Sequence, residues 1–153
     1  MKLDSIDKEK LKKIAILSSI FIFLLSLLFS VSLLSFFKNA TLKRVALKIL
    51  SSSTIPNEYQ NIQNIELCKK YTSLSFPHVF EGNVEGSGKM YLFFTRLTGK
   101  YGVYQGLFLY DERKMEVLFL GLAVEDFKKT PSYYGINQGI INYWCKKIKS
   151  SVY

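Results

Sequence analysis

The sequence predicts an α+β protein, in which an N-terminal transmembrane helix precedes a small domain with an antiparallel meander and flanking helices. Residues 14–37 are a run of 24 residues without a charged side chain. Three later segments rich in Leu, Val, Phe and Tyr are separated by short turn-like sequences, which is typical of β-hairpins. The chain of 153 residues leaves room for one domain of ordinary size after the apolar run.

The apolar run is long enough to cross a membrane. At about 1.5 Å per residue it reaches roughly 36 Å as a helix, against a hydrocarbon core of about 30 Å. A cleaved secretory signal has a shorter apolar region, of about 7–15 residues, that ends in small residues. Here the run ends in "SFFKNA", so an uncleaved anchor in the lipid bilayer is predicted.

The basic residues beside the run predict its orientation. Five lysines precede the run and four basic residues follow it: Lys2, Lys8, Lys10, Lys12 and Lys13, then Lys38, Lys43, Arg44 and Lys48. This small bias and the free N-terminus predict a cytoplasmic leader at residues 1–13 and an extracytoplasmic C-terminal domain. The predicted location is the cell inner membrane, crossed once.

The net charge of +9 raises the question of a nucleic-acid partner. Residues 38–153 contain 16 basic and 9 acidic residues. The cations are scattered among the predicted strands and turns, without a dense basic run interleaved with aromatic residues, so no nucleic-acid partner is predicted. Anionic lipid headgroups or an acidic partner subunit account for the excess.

Residues 38–56 are predicted to form a stalk helix that continues the membrane helix into water. Apolar side chains recur at i, i+3, i+4, i+7 and i+8 from Leu42, which makes one stripe on a helix. Pro56 forbids continuation of that helix.

Residues 57–153 are predicted to form the extracytoplasmic α+β domain. A second helix is expected first, capped by Asn57, with an apolar face that runs from Tyr59 to Cys68. The three strands of the meander follow.

The predicted strands start at Lys89, Gly102 and Met115 and are joined by "GKYG" and "DERK". They are apolar on both faces. In the first strand, one face carries Tyr91, Phe93 and Leu97 and the other carries Met90, Leu92 and Phe94. Both faces therefore need cover. The flanking helices are expected to cover one face, and the other must meet further chain, a partner protein or a flat ligand.

The usual signatures of catalysis and metal binding are missing from the sequence. It contains no G-x-G-x-x-G, G-x-x-x-x-G-K-[ST] or G-x-S-x-G motif. His78 has no cysteine or carboxylate at ligand spacing. Cys68 and Cys145 lack a C-x-x-C arrangement, so they either pair in an oxidising compartment or remain two separate thiols. Neither a catalytic residue nor a metal site is predicted.

Three segments carry a resemblance to a known family: "TGKYGVYQGLFLYDERKMEVLFLGLAV", "KTPSYYG" and "IINYWCKK". These segments follow the N-terminal helix in an order that resembles that of the FMN-binding single-helix subunit of sodium-pumping NADH:quinone oxidoreductase. It is also similar to the related FMN-binding subunit of the ferredoxin:NAD oxidoreductase complex. Those proteins carry FMN on an extracytoplasmic domain.

The resemblance implies a cofactor loop. Thr130, Pro131 and Gly135 would occupy the family's E-T-P-G-x-G loop, in which Lys129 stands for the glutamate and Ser132 for the first glycine. Four tyrosines would line a slot for the flavin ring: Tyr101, Tyr104, Tyr133 and Tyr134. Lys129 or Lys100 would meet the phosphate, since the S-G-A-T-like motif that attaches FMN covalently in the family is absent before Tyr153.

The resemblance thus implies a truncated and divergent family member. Its function would be that of a membrane-anchored subunit of a flavin-type, ion-translocating oxidoreductase complex, with an electron-transfer or accessory role beside other membrane subunits. The alternative is a non-catalytic, membrane-anchored scaffold that has lost flavin binding, whose uncovered sheet face would hold neighbouring subunits.

Overall fold

A computed structural model of the chain describes residues 3–52, 55–60, 62, 64–84, 88–124 and 130–153. Its elements, in chain order, are α1 (Leu3–Leu50), α2 (Asn57–Gln60), β1 (Ile65–Leu67), β2 (His78–Val84), β3 (Gly88–Gly99), β4 (Gly102–Asp111), β5 (Glu116–Leu122), a 3₁₀ helix (Pro131–Tyr134) and α3 (Gln138–Val152). The predicted α+β class is confirmed. The chain forms two compact units, Met1–Ala40 and Thr41–Tyr153.

The first unit consists of the greater part of α1. This helix is long and apolar enough to span a membrane, and none of its most apolar stretch is buried. Two of its serine hydroxyls bond within the helix: Ser18 Oγ donates to the carbonyl oxygen of Ile14 at 2.7 Å, and Ser30 Oγ donates to the carbonyl oxygen of Ser26 at 2.9 Å. Such bonds spare a polar side chain from facing an apolar environment unpaired.

The second unit is built on a five-stranded antiparallel sheet in the order β1-β2-β3-β4-β5. The three predicted strands and both hairpins are confirmed, with β3, β4 and β5 starting within one residue of the predicted positions. β3 and β4 pair from Met90 opposite Asp111 to Gly99 opposite Gly102. The sheet therefore has its longest hairpin in the middle.

The predicted helix after Asn57 is wrong beyond Gln60. Helix α2 ends at Gln60, and Ile65–Leu67 forms strand β1, which pairs with β2. The apolar residues assigned to the helix are buried all the same, but Ile65 packs in one apolar cluster and Cys68 in another. A strand sends its side chains to both faces of a sheet, which a single helical stripe does not do.

Each face of the sheet is covered by the chain itself. One apolar cluster contains the end of α1: Leu42, Ala46, Ile49, Leu50, Ile55, Tyr59, Ile62, Ile65, Phe80, Met90, Leu92, Phe94, Leu107 and Leu109. The other contains α3: Cys68, Phe76, Val79, Tyr91, Phe93, Leu97, Phe108, Tyr110, Leu122, Ile136, Ile141 and Ile148. The predicted division of the β3 side chains between two faces is confirmed. The face that the scaffold hypothesis left bare is therefore covered by further chain over the central strands.

The end of α1 is not a solvated stalk. Leu42 is 6% exposed, and Ala46 and Leu50 are fully buried. The stripe expected on a stalk helix is present, but it faces the sheet. These residues belong to the compact unit Thr41–Tyr153, so the domain begins earlier in the chain than residue 57.

The turn between β4 and β5 is tied to α2 by a buried carboxylate. Asp111 is 4% exposed and accepts a hydrogen bond from the Tyr59 hydroxyl at 2.7 Å. The backbone N–H groups of Arg113 and Lys114 donate to its other oxygen at 2.9 and 3.2 Å. Lys114 Nζ also lies 2.5 Å from Glu58 Oε1. The network joins residues that are more than fifty positions apart in sequence.

Candidate functional site

Four tyrosines line one cleft of about 490 Å³. They are Tyr101 in the β3–β4 turn, Tyr104 in β4, and Tyr133 and Tyr134 in the 3₁₀ helix. These are the four aromatic residues that the sequence assigned to a ligand slot. The volume is in the range of small-molecule sites, which is about 300–1,000 Å³.

The rings differ in exposure and in what they contact. Tyr104 and Tyr134 are half-buried and their ring centroids lie 4.9 Å apart. Tyr133 meets Tyr134 edge to face, with 5.2 Å between centroids. Tyr101 and Tyr133 are 68% and 59% exposed. The half-buried pair therefore has its orientation fixed by packing, while the other two rings stand at the rim.

One cation lies beside the cleft. The ammonium of Lys100 is 5.4 Å from the centroid of the Tyr101 ring, within the range of a cation–π contact. The partner proposed with it, Lys129, lies outside the described residues. Lys100 is thus the basic side chain that the described structure places next to the tyrosines.

The two walls of the cleft touch through their backbones. The Lys100 N–H donates to the carbonyl oxygen of Tyr134 at 3.0 Å. A Cβ on Gly135 would meet the Lys100 Cβ and lie 2.7 Å from the Lys100 nitrogen, and a Cβ on Gly99 would meet the Tyr134 carbonyl oxygen. Gly135 also has a φ of 75°, a left-handed conformation that glycine adopts at little cost.

Replacing Gly135 with alanine is expected to lower the free energy of unfolding by about 1–3 kcal/mol, because the left-handed φ and the contact with Lys100 both oppose a Cβ. Thermal unfolding followed by circular dichroism would measure the loss. Gly139→Ala is the matched control. Gly139 lies in α3, where alanine is the better helix former, so this variant should stay within about 1 kcal/mol of the wild type. Equal stability of the two variants would contradict the steric argument.

The predicted loop residues surround the 3₁₀ helix. Thr130 is its N-cap in extended conformation and Pro131 is its first residue, where the missing N–H of proline costs nothing. The Thr130 and Ser132 hydroxyls are 3.0 Å apart, and both side chains are exposed. Gly135 ends the helix, and its N–H donates to the Ser132 carbonyl oxygen at 3.0 Å. The structure thus brings Thr130, Pro131 and Gly135 into the segment that carries two of the cleft tyrosines.

Sequence reasoning missed Gly99, and it placed Ser132 in the loop without giving its hydroxyl a role. Gly99 permits the close backbone approach, and Ser132 adds a second hydroxyl beside Thr130. The "GKYG" segment did carry a signal, since two glycines around a short turn often mark tight backbone approach as well as a hairpin.

The potential metal ligands and the two cysteines are the candidates for a second site. In the parts of the chain that the structure describes, no three His, Cys, Asp or Glu residues are grouped to hold a metal ion. Cys68 is buried and Cys145 half-buried, and both thiols are free. Burial raises the pKa of the Cys145 thiol, so it is held in its protonated, less reactive form.

The fold and the cleft define a small α+β domain with a tyrosine-lined cleft, preceded by a helix that is able to span a membrane. A family model described as "Uncharacterised protein" matches residues 48–152, and the chain belongs to that family. The matched residues include all five strands, the cleft and α3. No curated protein and no solved structure matches the chain.

Proposed function

We propose that this chain is a membrane-anchored subunit of a flavin-type, ion-translocating oxidoreductase complex, and that its tyrosine cleft holds the ring of non-covalently bound FMN. One observation carries the proposal: four tyrosines from two separate segments converge on one cleft. The role is electron transfer, or an accessory one beside other membrane subunits. The chain would cross the cell inner membrane once, with residues 1–13 in the cytoplasm and the sheet domain outside it.

The residues of the cleft fit the ring part of FMN. An isoalloxazine ring is flat and aromatic, and offset or edge-to-face contact with tyrosine rings stabilises such a group. Tyr104 and Tyr134 would form the fixed wall, because they are half-buried and in mutual contact. Tyr101 and Tyr133 would close on the ring from the rim.

The fit to the phosphate rests on fewer groups. Lys100 supplies a positive charge beside the cleft. The exposed hydroxyls of Thr130 and Ser132 share one hydrogen bond, which leaves the second O–H to donate to the phosphate. Bound FMN would supply the electron-carrying chemistry, and the protein would position the ring and tune its potential through these contacts.

A non-catalytic scaffold is the second candidate, and the exposure of Tyr101 and Tyr133 favours it. Exposed tyrosines around a concave surface are typical of protein–protein hot spots. In this interpretation the cleft receives a side chain of a neighbouring subunit. The scaffold no longer depends on an uncovered sheet face, since both faces are covered by the chain itself.

The test is the visible absorbance of the detergent-purified full-length protein from cells supplied with riboflavin. A flavin spectrum at near-equal stoichiometry, released by acid precipitation, is expected. The variant Tyr104→Leu/Tyr134→Leu should lose most of the bound flavin, because both rings of the fixed wall are removed. Tyr143→Leu is the matched control, since Tyr143 is an exposed tyrosine on α3 that does not line the cleft.

Colourless wild-type protein, shown to be folded by circular dichroism, would contradict flavin binding. The scaffold candidate would then gain support if membrane proteins co-purify with the wild type and are lost from Tyr104→Leu/Tyr134→Leu. Equal flavin content in both tyrosine variants would mean that flavin binds away from the cleft.

A further inference from the structure

The two edges of the sheet are built differently. The edge at β1 is only three residues long, and Glu66 there lies directly opposite Glu81 of β2. A short, charged edge discourages pairing with another strand. The edge at β5 is seven residues long, and Glu116 is its one charged residue, at its start. In the described part of the chain, no strand pairs with the outer side of β5.

The apolar clusters on both faces of the sheet are incomplete at β5. Leu118 and Leu120 are partly buried against the cluster that contains the end of α1. Val117 and Phe119 are partly buried against the cluster that contains α3. The central strands β3 and β4, in contrast, are almost fully buried at the positions that face these clusters. One more strand beside β5 would bury further apolar surface on both faces.

A groove of about 330 Å³ runs between β5 and α3. Glu116, Val117 and Leu118 form its strand side, and Cys145, Lys146 and Lys149 form its helix side. Lys146 and Lys149 are three positions apart in α3, so they lie on the same side of the helix, and both are exposed. Among the described residues, the groove therefore combines a strand edge without a partner strand, two cations on the helix side and one carboxylate, Glu116, at the start of β5.

We propose that this groove is a β-strand addition site for an extended acidic segment of a partner protein. The incoming strand pairs its backbone with β5. Alternate acidic side chains face Lys146 and Lys149, and the side chains between them are apolar and cover Leu118 and Leu120. Backbone hydrogen bonds supply affinity in this mode, and the alternating side chains supply specificity.

Charge disfavours a second copy of the chain as the occupant. Two antiparallel β5 edges would be related by a twofold axis perpendicular to the sheet, which brings both α3 helices to the same face. Lys146 and Lys149 of the two copies would then approach each other. Residues 38–153 already carry 16 basic and 9 acidic residues, so an acidic partner is attracted where a second copy is repelled.

The test uses full-length protein in detergent micelles and a fluorescent, capped peptide of about six residues in which glutamate and valine alternate. Saturable binding is expected by fluorescence anisotropy. Hydrogen exchange should slow at the backbone amides of β5 when the peptide is bound. In Lys146→Glu/Lys149→Glu the affinity for this peptide should fall roughly tenfold, and a lysine–valine peptide of equal length should bind instead.

Lys69→Glu/Lys70→Glu is the matched control, because it makes the same change in net charge at two exposed lysines just after β1. Its affinity for the acidic peptide should equal that of the wild type. Four outcomes would overturn the proposal: no saturable binding, equal affinity after charge reversal on α3, binding without protection of β5, or β5 protection from self-association alone. The flavin test addresses different residues, so the flavin proposal and the strand-addition proposal can fail independently of each other.

Discussion

Replacing Asp111 with alanine is expected to lower the free energy of unfolding by about 3 kcal/mol or more. The buried carboxylate accepts three hydrogen bonds, from the Tyr59 hydroxyl and from the backbone N–H groups of Arg113 and Lys114. Alanine would leave the hydroxyl of Tyr59, itself 1% exposed, without this acceptor. An unsatisfied buried donor costs more than the lost bond contributed.

The measurement is urea unfolding of the domain, followed by circular dichroism. Glu112→Ala is the matched control, because it removes a carboxylate from the same turn at an exposed position. It should change the free energy of unfolding by no more than about 0.5 kcal/mol. If the two alanine variants are equally stable, the network does not stabilise the fold in the way the hydrogen bonds imply.

Asp111 also predicts a pH dependence. Burial acts to raise the pKa of this carboxyl, but the hydrogen bonds from Tyr59, Lys114 and Arg113 outweigh it, so the pKa is lowered from its ordinary value. The unfolded chain therefore binds this proton more readily than the folded one. The stabilisation is fully present above the ordinary carboxyl pKa of about 3.9 and is lost as the pH falls through the folded value. The wild type should lose more stability on acidification than Asp111→Ala.

The central hairpin could be predicted from sequence because its signals are local. β3 and β4 are long, rich in aromatic and aliphatic residues, and joined by a turn with two glycines. The division of their side chains between two faces follows from the period of two along a strand. These features need no knowledge of the rest of the chain.

The first two strands could not be predicted in the same way. β2 contains Glu81, Gly82 and Asn83, which are residue types depleted in strands. All seven residues of β2 pair with β3, and β1 pairs with β2. This pairing stabilises both segments as strands. The neighbouring strand thus holds each of these segments in the sheet, and the residue types of β1 and β2 alone do not indicate it.

The tyrosines of the cleft were predicted as a set, but their mutual geometry was not. The contact that joins the two walls is between Lys100 and Tyr134, which lie in different segments. It depends on Gly99 and Gly135 having no Cβ, and neither glycine alone indicates which backbone it will approach. The compact unit that starts at Thr41 begins earlier in the chain than the apolar pattern placed the domain.

The end of α1 gives the second large expected effect. A chain that starts at Thr41 should fold cooperatively, whereas one that starts at Ser51 should not. The shorter chain lacks Leu42, Ala46, Ile49 and Leu50, which are 6%, 0%, 2% and 0% exposed in the core. Burial of a Leu or Ile side chain contributes about 1.5–3 kcal/mol. Loss of three such residues is comparable with the whole stability of a domain, about 5–15 kcal/mol.

A matched pair of substitutions in the full-length protein isolates the same effect. Ile49→Ala should lower the free energy of unfolding by about 2–5 kcal/mol, because it leaves a cavity against the sheet. Arg44→Ala, at an exposed position of the same helix, should change it by no more than about 0.5 kcal/mol. Equal stability of these variants, or cooperative unfolding of the chain that starts at Ser51, would contradict a core role for the helix end. If Ile49→Ala is destabilising and Arg44→Ala is not, residues 41–50 are part of the folded domain. A substitution there then changes the stability of the sheet that positions the tyrosine cleft.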